Sequence, residues 1–222
     1  MFKEFFDYRN HNSYGFKIRK KRSKIIKNII TKIFLKKKKV FIVDIGGTES
    51  FWDTVGINFL KKMNVKITLV NLKKTQIKNK NIFKSIIGDG CKLRFKDKKF
   101  DISFSNSVIE HVGDCKMMKK FASEMKRTAK VFYCQTPNFW FPIEPHFLFP
   151  FFHFFPDLLK MMIVKNFSIG HYKKAKNDLE ALKIIGDAKL ITKKKLITFF
   201  DKGKVYEEKF CMMTKSLIIT NS

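Results

Sequence analysis

Arginine is scarce in this chain: Arg9, Arg19, Arg22, Arg94 and Arg127 are the only five among 47 basic residues. A surface that reads phosphates favours the planar guanidinium fork over the lysine point charge. The net charge of +28 is therefore carried almost wholly by lysines spread along the whole sequence. Lysine, isoleucine, phenylalanine and asparagine are abundant together, as AT-rich coding produces, so the charge alone does not argue for nucleic acid, and a nucleic-acid partner is not expected. Cysteine is also sparse. Cys91, Cys115, Cys134 and Cys211 are far apart, form no CxxC, and have no nearby histidine pair; a disulfide scaffold and a zinc-ribbon site are excluded, and a reducing, cytoplasmic setting is expected. The start MFKEFFDYRN carries acidic residues and no continuous apolar segment, so no export signal is read there. Proline is confined to five positions, Pro137, Pro142, Pro145, Pro150 and Pro156. The apolar runs between them are too short to span a bilayer, and no single long helix can cross this region.

What is present begins with a basic leader, residues 1–39. Ile25, Ile26, Ile29, Ile30, Ile33 and Phe34 form a helical stripe between lysines. Two readings stay open: a helix packed on the domain, or an interfacial helix in peripheral contact with anionic lipid at the inner membrane face. From Val40 to Thr220 the pattern alternates strands and helices. Strands are read at Val40–Ile45, Val65–Leu72, Ile82–Ile87, Phe100–Ser105 and Lys130–Gln135, and helices near Ser50–Met63 and Asp114–Thr128. Helices near Asp178–Gly186 and after a Thr192 cap follow, then strands Lys204–Phe210 and Ser216–Thr220. Strands separated by helical crossovers form a parallel sheet. Two adjacent closing strands add an antiparallel hairpin. The fold class is thus α/β, a doubly wound, mainly parallel seven-stranded sheet in a domain spanning 40–222. An aromatic and proline-rich insertion at about 137–175 reads as a lid over the core, as the wall of a pocket for an apolar or amphiphilic ligand, or as both.

VDIGGTESFW at Val43–Trp52 is a buried strand ending in an acid and turning through glycines into a helix. GDGCKLRFKDKKFDISFSNSVIEHVGD at Gly88–Asp114 puts a second acid and a polar triplet at neighbouring strand ends. In open α/β sheets ligands bind at that carboxyl edge. These motifs resemble the class I S-adenosylmethionine (SAM)-dependent methyltransferases, specifically the small type 11-like group. The resemblance covers Val40–Thr136 and extends more loosely into TPNFWFPIEPH and EEKFCMMTKSLII. It implies a Rossmann-like fold with SAM as cofactor. Asp44, Gly46 and Gly47 would hold the methionine part, with Thr48 where a third glycine is usual and Ser50 at a further small position. Asn71 stands where an acid usually binds the ribose hydroxyls. Asp89 would accept from the adenine amino group, with Gly90 and Cys91 along the ring. Asn106 and Ser107 would flank the transferred methyl.

The sulfonium of SAM is already activated, so the protein's task is alignment of the acceptor and exclusion of water, and no metal is called for. A hydroxyl acceptor would need a general base, and His111, Glu144 and His146 are the candidates. An amine could do without one. Structural roles remain open for His111, as a packed ring, and for Glu144 and His146, as a loop staple. The expected function is methyl transfer from SAM to a small-molecule, glycan or lipid-linked acceptor. A SAM-binding domain without turnover is a second reading, because of Thr48 and Asn71. A nucleic-acid methyltransferase is a third; the NPPY-type tetrapeptide of amino-methylating enzymes is replaced by FSNSVIEH.

Overall fold

The computed structural model describes residues 13–222. Its first helix, α1 (Tyr14–Lys37), starts where the Ser13 hydroxyl accepts from Phe16 N at 3.0 Å and ends at Lys38, in the left-handed region. The isoleucine stripe then decides where the helix lies. Ile26, Ile29 and Ile30 are buried in the apolar layer over the strand Val40–Ile45, with Ile25, Ile33 and Phe34 partly covered beside them. The apolar face that a lipid-bound leader would put into a membrane is thus occupied by the protein's own core. Residues 1–12 of the leader lie outside the described residues.

The strands β1 (Val40–Ile45), β2 (Val65–Asn71), β3 (Phe83–Ile87), β4 (Phe100–Asn106) and β5 (Ala129–Pro137) run parallel. Strand β9 (Met213–Thr220) is antiparallel to β5, and β8 (Lys204–Phe210) is antiparallel to β9. The sheet order is β3-β2-β1-β4-β5-β9-β8, with β6 (Ile143–Glu144) and β7 (Phe149–Pro150) forming a separate two-stranded ribbon. Chain order reverses between β1 and β4, so their carboxyl ends splay loops to opposite sides and leave a crevice there.

Two apolar layers close the sheet. One face carries α1, α2 (Glu49–Val55) and α3 (Ile57–Lys62), with Trp52, Val55 and Leu60 fully buried over β1 and β2. The single helix expected over Ser50–Met63 is in fact two, parted at Gly56, whose φ of 98° no helix can use. The opposite face carries α4 (Cys115–Thr128) and α7 (Lys193–Phe199), with Phe121, Met125, Leu196 and Phe200 buried. Asp114 and Thr192 cap these two helices through their side-chain oxygens. The insertion builds a small core of its own. Helices α5 (Asp157–Asn166) and α6 (Asp178–Gly186) pack around Phe147, Phe152, Val164, Ala175 and Ala181. Its α5 was not expected from the sequence; it begins directly after Pro156, the last of the five prolines. Among the described residues no helix is long and apolar enough to cross a membrane.

Candidate functional site

The crevice beside β1 is built from the backbone outward. At the end of β1 the chain must turn sharply, and Gly46 does so at φ 77° while its N–H donates to Val70 O at 2.8 Å. Gly47 then passes directly over the Asp44 carboxylate, where a Cβ would lie 1.8 Å from Oδ2. No other residue fits there, which keeps the loop bare beside the acid. Asp44 is fully buried; its Oδ2 accepts from Trp52 Nε1 at 2.8 Å, and Oδ1 has no hydrogen-bond partner among the described residues. Burial pushes its carboxyl up to about 7, against the opposing Trp52 hydrogen bond. The same cleft is lined by Gly46, Gly47, Thr48, Ser50, Phe104 and Asn106, and by Arg19 from α1. It therefore places a carboxylate on one wall and a guanidinium on another. Thr48 Oγ1 and Ser50 Oγ are 2.8 Å apart on its rim.

One turn along α1 from Arg19, Arg22 is buried over the strand ends. Its Nη1 donates to Asn106 Oδ1 at 2.7 Å and to Gln135 Oε1 at 2.9 Å, while Nε and Nη2 donate to the two Glu208 oxygens at 3.1 and 2.6 Å. Ser107 Oγ donates to the same Gln135 oxygen at 2.9 Å. Asn106 is thus held by its acceptor oxygen from above the sheet.

The other expected cofactor residues lie along the same carboxyl edge, outside the lining of that cleft. Asn71 ends β2 and spends its amide N–H groups on Gly47 O at 2.9 Å and Thr75 Oγ1 at 3.0 Å. It braces the glycine turn, and its Oδ1 is the atom left to meet a ligand. Asp89 is exposed just after β3, with Oδ1 accepting from Cys91 N at 2.8 Å. Gly90 packs where a Cβ would strike Ile45 and Phe121 at 2.7 Å.

The three expected acid–base residues come together although 35 residues separate His111 from His146. A 3₁₀ turn, Ile109–His111, follows β4 and points Glu110 at Thr136, whose hydroxyl donates to Oε2 at 3.0 Å. The PIEPH loop brings Glu144, buried, under His146: Glu144 accepts from His146 N and Phe147 N at 2.7 Å each, and from His146 Nδ1 at 2.6 Å. His146 Nε2 then faces His111 Nε2 at 3.1 Å, and His111 Nδ1 meets Asp187 O at 3.1 Å. Burial lifts the Glu110 carboxyl to about 7. Burial and the facing ring lower His111, whereas for His146 the desolvation that would lower it is outweighed by Glu144, so it is raised.

Sequence reading missed Arg19, Arg22 and Asp187 in these arrangements. The arginines carried a usable signal: in a chain that otherwise meets solvent with lysine, two arginines three apart mark one helix face that needs a fixed fork. Glu110 was read, with His111, only as opening the segment after β4, because its burial and its Thr136 partner depend on β5.

Residues 48–131, less than half of the chain, match the family model described as a methyltransferase domain. No curated protein matches the sequence. Among solved structures, a Burkholderia thailandensis 1,6-didemethyltoxoflavin-N1-methyltransferase, crystallised with that substrate and S-adenosylhomocysteine, is 8% identical; the likeness covers 87% of this chain and 75% of that one at a TM-score of 0.50. A Rhodobacter sphaeroides protein named for the zinc-dependent alcohol dehydrogenases is 11% identical, with 82% and 83% covered and a TM-score of 0.50. At such identities the likenesses establish the shared fold alone. The matched segment runs from Thr48, just after the glycine turn, into β5, so over that part of the sheet the chain is similar to a methyltransferase domain.

The buried Asp44 generates a pH prediction. Its folded-state pKa lies above its unfolded value, so the folded state holds the proton more tightly. The stability this contributes is fully present below about pH 4 and is lost as pH rises toward 7. Asp44→Asn removes the titration while keeping an acceptor for Trp52. Urea unfolding should show the variant more stable than wild type at pH 8, by roughly 2–4 kcal/mol, with the gap closing toward pH 4. A gap that does not change with pH would contradict a buried, proton-holding Asp44.

Proposed function

We propose that the chain moves the methyl group of SAM to an acceptor bound beside Arg22 and the histidine pair. The observation that carries this reading is the cleft at the β1–β4 reversal. Asp44, with an unpartnered buried oxygen, and Arg19 put an acid and a guanidinium where the ammonium and carboxylate of a methionine moiety would go. These residues fit the cofactor on chemistry: a bare glycine backbone for close approach, an acid for the amine, and a guanidinium for the carboxylate. Asn71 Oδ1 would accept from a ribose hydroxyl, Asp89 would accept from the adenine amine with Gly90 beside the ring, and Thr48 would border the chain of the amino acid. The cofactor supplies an electrophilic methyl on a positively charged sulfur.

The protein's own part is positioning. Arg22 fixes Asn106 at the edge of the cleft, and α1 closes the space above it, which limits water near the reacting atoms. A hydroxyl acceptor held near His111 or His146 would lose its proton to the Nε2 of a neutral ring, with Glu144 holding His146 in the required orientation. Titration calorimetry with SAM and S-adenosylhomocysteine tests the cofactor half of the reading. Wild type is expected to bind both, and Arg19→Ala to bind about tenfold more weakly, the loss of one charged hydrogen bond. A folded wild type giving no heat at millimolar ligand would refute the reading. Binding without labelled methyl transfer to any offered acceptor would favour the second reading, a SAM-binding domain without turnover, for which Thr48 and Asn71 speak.

For the acceptor we propose an apolar or lipid-linked molecule. The insertion exposes Trp140, Phe151, Leu158, Met162 and Phe167, with Leu158 at 73%, and just beyond it Leu179 on α6 is 79% exposed. Lys173, Lys174, Lys176 and Lys183, in the same stretch of chain, are exposed as well. Such a surface suits an anionic lipid interface, with the apolar side chains in the headgroup boundary. Full-length protein should co-sediment with phosphatidylglycerol-containing vesicles, and Leu158→Glu combined with Phe167→Glu should leave it in the supernatant. Wild type that stays in the supernatant would remove the membrane-side acceptor.

A further inference from the structure

We infer that His111 Nε2, His146 Nε2 and a Glu110 carboxylate oxygen form a binding site for one divalent transition-metal ion of the zinc class, at the carboxyl end of β4 and β5. The ligand atoms of the three residues lie within 4.8 Å of one another. The arrangement of protons is the decisive argument. His146 Nδ1 is 2.6 Å from a Glu144 oxygen and His111 Nδ1 is 3.1 Å from the Asp187 carbonyl, an oxygen that can only accept. Each ring therefore carries its proton on Nδ1 and, when neutral, aims the Nε2 lone pair at the other ring. Two lone pairs at 3.1 Å repel unless a proton or a metal ion joins them. Two imidazoles on one tetrahedral zinc, each at about 2.0–2.1 Å, bring their nitrogens to roughly 3.3 Å of each other. The rings already stand at that spacing.

The third ligand comes from an independent observation. Glu110 is 1% exposed, and its Oε1 has no hydrogen-bond partner among the described residues, while Oε2 is satisfied by Thr136. A buried carboxylate oxygen without a partner is costly, and a metal ion is one group that would satisfy it. The supports of the rings also match what a metal requires. Glu144 orients His146 in a carboxylate–histidine arrangement and is itself fixed by two backbone N–H groups, and a backbone carbonyl orients His111. Two histidines and one glutamate leave a fourth position for a ligand oxygen. The His111 side chain is one-third exposed, which gives an ion a route in.

This site goes beyond the methyl-transfer reading and stands without it. Where both hold, metal and substrate proton compete for the same nitrogen lone pairs. An acceptor hydroxyl bound to the ion would then be acidified by the ion and not by a ring.

The test starts from full-length protein stripped with chelator and dialysed. Titration with Zn²⁺ should give one ion per chain, and Co²⁺ should give the intense visible bands of a four-coordinate site without thiolate charge-transfer absorption. His146→Ala should weaken Zn²⁺ binding at least 100-fold. Glu110→Gln, which keeps the shape and the Thr136 contact, should weaken it at least tenfold, and Glu144→Gln by 10- to 100-fold. Circular dichroism and S-adenosylhomocysteine titration of each variant separate loss of the metal from loss of the fold or of the cofactor cleft. No Zn²⁺ binding by folded wild type, unchanged affinity in folded His146→Ala and Glu110→Gln, or a cobalt spectrum dominated by thiolate would overturn the site. Those results would leave the facing rings as an imidazolium donating to an imidazole.

Discussion

The guanidinium of Arg22 is the contact on which the working edge of this protein depends. It reaches from α1 to Asn106 at the end of β4, to Gln135 on β5 and to both oxygens of Glu208 on β8. Glu208 is in turn tied to Ser216 on β9 at 2.7 Å. One side chain thereby links the first described helix to the last strands of the sheet. A buried ion pair of this kind adds little net stability over a well-packed apolar substitute, yet half of it left alone is expensive. Its effect is positional: α1 has one register in which both carboxylate oxygens and both amide oxygens are met, and that register puts Arg19 into the cleft over Asp44.

The apolar stripe and the arginines of α1 work together in setting that position. Ile26, Ile29 and Ile30 hold the helix onto the sheet, without choosing how far along its axis it slides. Lys37 pairs with the buried Asp101 at the amino end of β4, and Arg22 bonds at its carboxyl end. The two polar contacts pin the helix at both ends of the same strand. The site is therefore a joint product of a basic N-terminal helix and a sheet edge, and neither would present an acid and a guanidinium to a ligand by itself.

Much of this was legible in the sequence, for identifiable reasons. The run VFIVDI has a continuous apolar stretch and a glycine stop, so β1 was read at its observed bounds, and β8 and α6 likewise. Helix α5 was hidden because the dense aromatics and prolines before it erase the helical period, and Gly56 was not weighed as a break. The meeting of Asp44, the glycine pair and Asn106 in one cleft was legible, because strand-edge logic brings them together. Asn71 was read as a ligand group; that its N–H donors also brace the loop was not legible, because a contact between Asn71 and Gly47 leaves no local pattern. The meeting of His111 with His146 was equally invisible, since two short motifs with no periodic relation converge only through the packing of the PIEPH loop against β5.

Hydrogen exchange of the full-length protein with and without saturating S-adenosylhomocysteine addresses the central claim, that α1 and the glycine turn form opposite walls of one cofactor cleft. The account predicts slowed exchange in two separate stretches at once, the turn from Gly46 to Ser50 and the backbone of α1 around Arg19. Protection of neither stretch, or protection of the turn with α1 unchanged, would contradict it.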